Sequence, residues 1–110
     1  MAYGFIVTLN KQTVYTYKDI PAPARLRRYL DEMDLHMENG VQLGDAFIAQ
    51  PSDYQRQQYV AMDLIHSLEK KDFKMIDVLS AYLMKRNAKL IEIRASLKDD
   101  VFNMQLITKE

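Results

Sequence analysis

The chain has 110 residues, of which 48% are hydrophobic and 27% are charged, with 15 basic and 15 acidic side chains and no cysteine. This length and composition are typical of one globular domain, and we expect it to span residues 1–110. Zero net charge provides no long-range field to attract nucleic acid or an anionic membrane. The lack of cysteine excludes disulfides and thiolate chemistry, and it favours a cytoplasmic location. The apolar run Tyr3–Leu9 is too short for a signal peptide or a membrane span, so we expect no membrane partner.

The N-terminal segment has the pattern of a β-hairpin. Gly4–Leu9 and Gln12–Tyr17 are rich in β-branched and aromatic residues. Asn10-Lys11 between them suits a two-residue loop, because asparagine tolerates positive φ. The predicted register gives two cross-strand pairs, Val7 with Val14 and Thr8 with Thr13.

A first helix and a short strand are expected next. Proline is tolerated in a first helical turn, so the helix opens at Pro23 or Ala24, and Asn39-Gly40 supplies its C-terminal stop. Its apolar residues recur at helical spacing: Leu26, Tyr29, Leu30, Met33 and Met37. Val41–Ala49 is apolar but interrupted by Gly44 and Asp45, which predicts a short or bulged strand.

Two consecutive amphipathic helices follow. Ser52 and Gln55 match the capping-box spacing at the start of the second helix. The apolar stripe of that helix contains Tyr54, Ala61, Met62, Ile65 and Leu68, with Tyr59 and His66 at its flanks and Gln57 on the polar side. Asp72 can cap the third helix, which ends in Lys85-Arg86. The residues expected to face inward from it are Phe73, Ile76, Leu79, Ala81, Tyr82 and Leu83.

The C-terminal segment predicts a second hairpin whose register can be argued. A four-residue loop over 98–101 aligns the apolar faces of the two strands, pairing Leu97 with Phe102, Ala95 with Met104 and Ile93 with Leu106. A three-residue loop would instead place Ile93 opposite Gln105. The whole pattern predicts an α+β fold: a single two-layer domain with a mainly antiparallel sheet, helices on one face and element order ββαβααββ.

Catalytic and cofactor motifs are absent from the sequence. The three glycines form no phosphate-binding loop, and Ser67 beside His66 points about 100° away from it on a helix. One metal hypothesis arises from Glu32 with His36 and Asp63 with His66, because each pair shares a helical face. The apolar stripes of both helices leave Glu32 and Asp63 outside the core direction, so we predict no catalytic residue, no cofactor and no bound metal.

From Pro23 onward the order helix, strand, helix, helix, hairpin resembles the winged-helix arrangement of nucleic-acid-binding proteins. The resemblance implies phosphate contacts from a set of basic residues that includes Arg25, Arg28, Lys85 and Arg86. Asp99 and Asp100 would lie at the tip of the wing, where phosphates repel them. We therefore expect at most weak binding of nucleic acid.

The abundance of methionine and tyrosine on the helices points to an adaptable contact surface. We predict a non-enzymatic cytoplasmic interaction protein, accessory or regulatory, that binds a protein partner or a second copy of itself as a homodimer. The candidate interaction surface comprises Tyr54, Tyr59, Met62, Tyr82, Arg25, Arg28, Lys85 and Arg86. The alternatives are a winged-helix-like nucleic-acid binder and, second, a small-ligand or metal-dependent enzyme.

Overall fold

A computed structural model describes the backbone of residues 4–18 and 24–109, and their side chains except at 24–26. Within these residues the chain forms three helices and six strands: β1 Gly4–Leu9, β2 Gln12–Lys18, α1 Ala24–Met37, β3 Val41–Leu43, β4 Ala46–Ile48, α2 Asp53–Lys70, α3 Phe73–Arg86, β5 Leu90–Lys98 and β6 Val101–Thr108. The mixed content and the mainly antiparallel sheet confirm the predicted α+β class.

The segment predicted as one strand, Val41–Ala49, is a small hairpin of β3 and β4 instead. The reason is the turn between them, where Gly44 adopts a φ of +59° that reverses the chain. The element order is therefore ββαββααββ, which differs from the prediction by this one division.

The described chain divides into two compact units. One contains β1, β2, β5, β6 and the end of α3 from Leu83 onward, and the other contains α1, β3, β4, α2 and α3 as far as Tyr82. The assignment of residues 1–110 to a single domain stays a prediction.

The first unit is built on a four-stranded sheet in the order β2-β1-β5-β6. The central strands β1 and β5 are parallel, and each pairs with its own hairpin partner in antiparallel fashion. Each hairpin loop has two residues, and all four have positive φ although none is glycine. Their φ values are 50° at Asn10, 69° at Lys11, 52° at Asp99 and 63° at Asp100. Positive φ at both loop positions is typical of the type I′ turn, whose twist matches the right-handed twist of the two flanking strands.

The N-terminal hairpin confirms the predicted loop and half of the predicted register. Thr8 lies opposite Thr13 as expected, but Val7 lies opposite Tyr15 rather than Val14. A register shift between Val7 and Thr8 explains the difference, because it leaves Val14 as an extra residue on β2, 49% exposed.

The C-terminal hairpin confirms all three predicted pairs: Leu97 with Phe102, Ala95 with Met104 and Ile93 with Leu106. Its loop is tighter than predicted, because Lys98 pairs with Val101 and only Asp99 and Asp100 remain unpaired. The alternation of apolar residues thus determined the register even though the loop length was wrong.

The two sides of the sheet differ in burial. One side carries Phe5, Val7, Ile93 and Ala95, each at most 2% exposed. Because side chains alternate along a strand, Arg94 lies on the other side of the sheet, and that side is largely polar. The first unit therefore has one apolar face and one polar face.

Helices α2 and α3 begin at the caps that the sequence predicts. The Ser52 hydroxyl accepts from the Gln55 backbone N–H at 3.2 Å, and the Gln55 side chain accepts from the Ser52 N–H at 2.9 Å, which confirms the capping box. Asp72 caps α3 by accepting from the Met75 N–H at 3.4 Å. Lys71 between the two helices ends α2 with a φ of 59°.

Several predicted burial assignments in the helices are wrong: Tyr29 and Tyr54 of the predicted apolar stripes are 42% and 52% exposed, and Gln57 and Phe73 also differ from expectation. Gln57 is 8% exposed rather than solvated, because it shares the buried strip of α2 with Val60, Ala61 and Leu64, which are three, four and seven residues further on. Phe73 is 72% exposed although its spacing matches the buried strip of α3. Phe73 is the first residue of that helix. At a helix end, apolar spacing does not ensure that another element covers the side chain.

Candidate functional site

The aromatic and methionine residues predicted as an interaction surface lie in different environments. Tyr54 is 52% exposed in the first turn of α2, and Tyr59 and Met62 are half-buried one helical turn apart on the same helix. Tyr82 is in the interior at 1% exposed rather than on the surface. Its hydroxyl donates to Asp34 Oδ1 at 2.6 Å, so this tyrosine serves the fold of the helical unit.

The basic residues of the predicted surface are divided between the two units. Arg28 is exposed on α1 in the helical unit, whereas Lys85 and Arg86 are exposed in the last turn of α3, which belongs to the sheet unit. The side chain of Arg25 lies outside the described residues. The phosphate-binding role of this set stays a prediction.

A polar cluster around Asp34 connects the three helices of the helical unit. Asp34 Oδ1 accepts from the Tyr82 hydroxyl and, at 3.3 Å, from Arg56 Nη1, which also reaches the Asp34 carbonyl at 3.4 Å. A carboxylate that is shared by an arginine and a buried tyrosine is satisfied by these contacts. The cluster is therefore a structural connection between the helices, in which the buried Arg56 Nε is left without a hydrogen-bond partner among the described residues.

The residues of the metal hypothesis are not assembled into a site. Glu32, His36 and His66 are exposed and Asp63 is half-buried. Among residues 4–18 and 24–109, no group of three or more histidine, aspartate or glutamate side chains is placed to hold a metal ion. None of the three helices in the described chain has both the length and the apolar character needed to cross a membrane.

The polar side of the sheet carries a compact ion pair. Glu92 accepts from the Thr8 hydroxyl at 2.7 Å and from Arg94 Nε and Nη2 at 3.1 and 3.2 Å. The hydrogen bonds from Arg94 and then Thr8 hold the pKa of Glu92 below its ordinary value of 4.5, since they favour the ionised form. A shallow groove of about 510 Å³ lies beside it, lined by Arg94, Lys11, Lys98 and neighbouring amide side chains.

The feature of the sheet unit that most resembles a binding site is the outer edge of β6. Strands β2 and β6 form the two edges of the sheet. The eight residues of β6, VFNMQLIT, contain no charge, no proline and no glycine. Edge strands are normally protected by charged residues, proline or a bulge, because the unpaired backbone groups of an edge attract another strand. We call the side of Val101–Thr108 that faces away from β5 the β6 edge.

The backbone groups at the β6 edge can be assigned from hydrogen bonds on the other side of β5. The Asn10 N–H donates to the Ala95 carbonyl at 2.9 Å, and the Leu97 N–H donates to Asn10 Oδ1 at 3.0 Å. Ala95 and Leu97 therefore direct their backbone N–H and C=O groups toward β1. Since these groups point away from β6, the pairs that Ala95 and Leu97 form with β6 are non-hydrogen-bonded pairs. By the alternation of an antiparallel ladder, their partners Met104 and Phe102 direct N–H and C=O to the open edge, and so does Leu106.

Apolar side chains accompany these open backbone groups. Leu97 and Phe102, which lie directly opposite each other, are 54% and 40% exposed, and Val101 is 57% exposed. Met104 and Leu106 are half-buried on the same side as Phe102. The β6 edge thus combines hydrogen-bonding groups with apolar contact area, as surfaces that accept an added strand do.

The sequence predicts β6 and its apolar face but not its position at an open edge of the sheet. The signal was the absence of charge between Asp100 and Lys109, and its meaning depends on the order of strands in the sheet. No protein-family model, no curated protein and no solved structure matches this chain.

Proposed function

We propose that this chain is a non-enzymatic interaction module, an accessory or regulatory protein of the cytoplasm, that self-associates and binds protein by adding a strand at the β6 edge. The observation that carries the proposal is the unprotected edge strand of eight uncharged residues. The cysteine-free composition supports the cytoplasmic location. This proposal moves the interaction surface from the predicted helical residues to the sheet.

The opposite edge of the same sheet supports this choice by contrast. Strand β2 follows Lys11, ends at Lys18 and has an irregular register next to Val14. Lysine and bulges are the usual means by which an edge is protected from pairing. Strand β6 carries no lysine, and the register shift in its ladder lies at its C-terminal end, opposite Leu90 and Glu92. We therefore expect binding at β6.

The proposal is tested by placing charge on either edge. Asn103 and Gln105 are exposed on the polar side of β6, so N103K/Q105K adds two lysines without disturbing the apolar side. Light scattering coupled to size exclusion should show a concentration-dependent dimer for the unmodified protein and a monomer for this variant. The matched control T13K/T16K adds the same charge to exposed positions of β2 and should leave the dimer intact.

Amide hydrogen exchange provides a second measurement. Raising the protein concentration should slow exchange at Phe102, Met104 and Leu106, whose N–H groups face the open edge, while Asn103 and Gln105 are protected at every concentration. A protein that is monomeric throughout the series, or a dimer that N103K/Q105K leaves unchanged, would contradict the proposed function.

A further inference from the structure

The sequence of β6 is nearly palindromic in chemical character about Met104. Met104 lies at the centre of Val101–Ile107, with an amide side chain on each side of it at Asn103 and Gln105. The next residues outward are a large apolar pair, Phe102 and Leu106, and the outermost are an aliphatic β-branched pair, Val101 and Ile107. A strand of this kind is complementary to a second copy of itself running in the opposite direction.

We infer that β6 pairs antiparallel with β6 of a second copy, with Met104 opposite Met104, and that this joins two four-stranded sheets into one continuous sheet. The inference rests on the proposed function and names its partner and register. In this arrangement Phe102 faces Leu106 of the copy, Asn103 faces Gln105 and Val101 faces Ile107. Every pair matches apolar with apolar or amide with amide.

The backbone independently permits this register. Phe102, Met104 and Leu106 carry the outward-facing N–H and C=O groups, so in the Met104-centred register all three form hydrogen-bonded pairs with the copy. A register displaced by two residues toward the hairpin tip leaves Leu106 opposite the loop residue Asp100. A register displaced toward the C-terminus keeps the backbone pairs through Thr108, but it places Asn103 opposite Ile107 and so mismatches the side chains. The contact is isologous and closes as a two-fold dimer, because each copy uses the same strand.

Charge at the two ends of β6 favours the same orientation. Asp99 and Asp100 form the hairpin tip that precedes the strand, and Lys109 immediately follows it. Antiparallel pairing brings Lys109 of each copy toward the acidic tip of the other. A parallel arrangement would instead place the two acidic tips side by side, which like-charge repulsion opposes.

The register is tested by exchanging charges at the two amide positions. In N103K/Q105E the introduced lysine faces the introduced glutamate of the copy at both symmetric positions, so the dimer should persist. A register displaced by two residues would put lysine opposite lysine or glutamate opposite glutamate. N103K/Q105K and N103E/Q105E should each dimerise at least about tenfold more weakly than the unmodified protein, and mixing them should restore a mixed dimer.

Sedimentation velocity measures the self-association, and native mass spectrometry with one variant carrying a mass tag identifies the mixed dimer. Restoration on mixing also shows that both variants are folded. If N103K/Q105E dissociates as N103K/Q105K does, while mixing N103K/Q105K with N103E/Q105E still restores a dimer, the Met104-centred register is overturned while binding at the β6 edge stands. If the unmodified protein is a monomer, or remains a dimer in N103K/Q105K, the proposed function fails and this inference fails with it.

Discussion

The two hairpins of the sheet are built alike but end in different edges. Each has a two-residue loop with positive φ at both positions and contributes one central and one edge strand. The edge strand β2 has a register shift in its middle and is flanked by lysines, whereas β6 is uncharged and its register shift lies at its C-terminal end. Loop chemistry therefore forms a hairpin, while the sequence of the outer strand decides whether that edge of the sheet is protected or open to another chain.

The largest expected effect distinguishes the two sides of β6. Gln105→Pro removes an N–H that points to β5 and leaves a ladder partner unsatisfied, so it should destabilise the fold by about 2 kcal/mol more than Met104→Pro, whose N–H faces the open edge. Urea unfolding measures the difference. Met104→Pro should instead abolish self-association. Equal destabilisation by the two prolines would show that the assignment of backbone groups on β6 is wrong.

A somewhat smaller effect is expected at the loop of the first hairpin, which also holds β5. Asn10 adopts positive φ, and its side chain accepts from the Leu97 N–H. Asn10→Ala should cost about 1–2 kcal/mol, because alanine tolerates this φ poorly and leaves that N–H without its partner. Asn10→Asp keeps the acceptor oxygen and should be nearly neutral in thermal unfolding. A cost for Asn10→Asp as large as for Asn10→Ala would contradict the role given to the side-chain oxygen.

The two loops should respond alike to glycine at their second position. Lys11 and Asp100 have φ of 69° and 63°, which glycine adopts without strain. Lys11→Gly and Asp100→Gly should each stabilise the protein by roughly 0.5 kcal/mol, as measured by denaturant midpoint. Gly40→Ala provides the opposite control, because an added Cβ at its φ of 106° would meet the Phe47 ring. Destabilisation by either loop glycine would show that the loops are held by side-chain contacts instead.

The smallest expected effect concerns acid stability at Glu92, which forms an ion pair with Arg94 within β5 and accepts the Thr8 hydrogen bond that joins the two hairpins. The folded-state pKa of Glu92 is lowered by Arg94 and Thr8, so the ionised group stabilises the fold above its ordinary pKa of 4.5. This contribution is lost as pH falls through the lowered folded-state pKa. Glu92→Gln should therefore reduce stability at neutral pH and converge with the unmodified protein in acid.

Unfolding curves at several pH values would test this, with Glu69→Gln on α2 as a control for removing one exposed carboxylate. A constant difference between Glu92→Gln and the unmodified protein at all pH values would mean that Glu92 contributes by packing rather than by charge.

Local chemistry in the sequence was sufficient for most boundaries and for one complete register. The capping box at Ser52, the cap at Asp72 and the Asn10-Lys11 loop each depend on residues within a few positions of one another. The register of the second hairpin followed from the two-residue alternation of its apolar face. The shift beside Val7 escaped prediction, because no local signal distinguishes a bulge at Val14 from regular alternation.

Burial and the candidate site depended on contacts between distant parts of the chain. Gln57 in the interior and Phe73 on the surface both contradict their polarity, which only neighbouring elements explain. The alternation of apolar residues is enough to predict that Val101–Thr108 is a strand with one apolar face. Its position at the edge comes from long-range pairing, because β1 pairs with β5 through residues more than 80 positions apart and thereby leaves β6 outermost. A long-range pairing of this kind has no local signature, and it alone converts an ordinary strand into a surface open to a second chain.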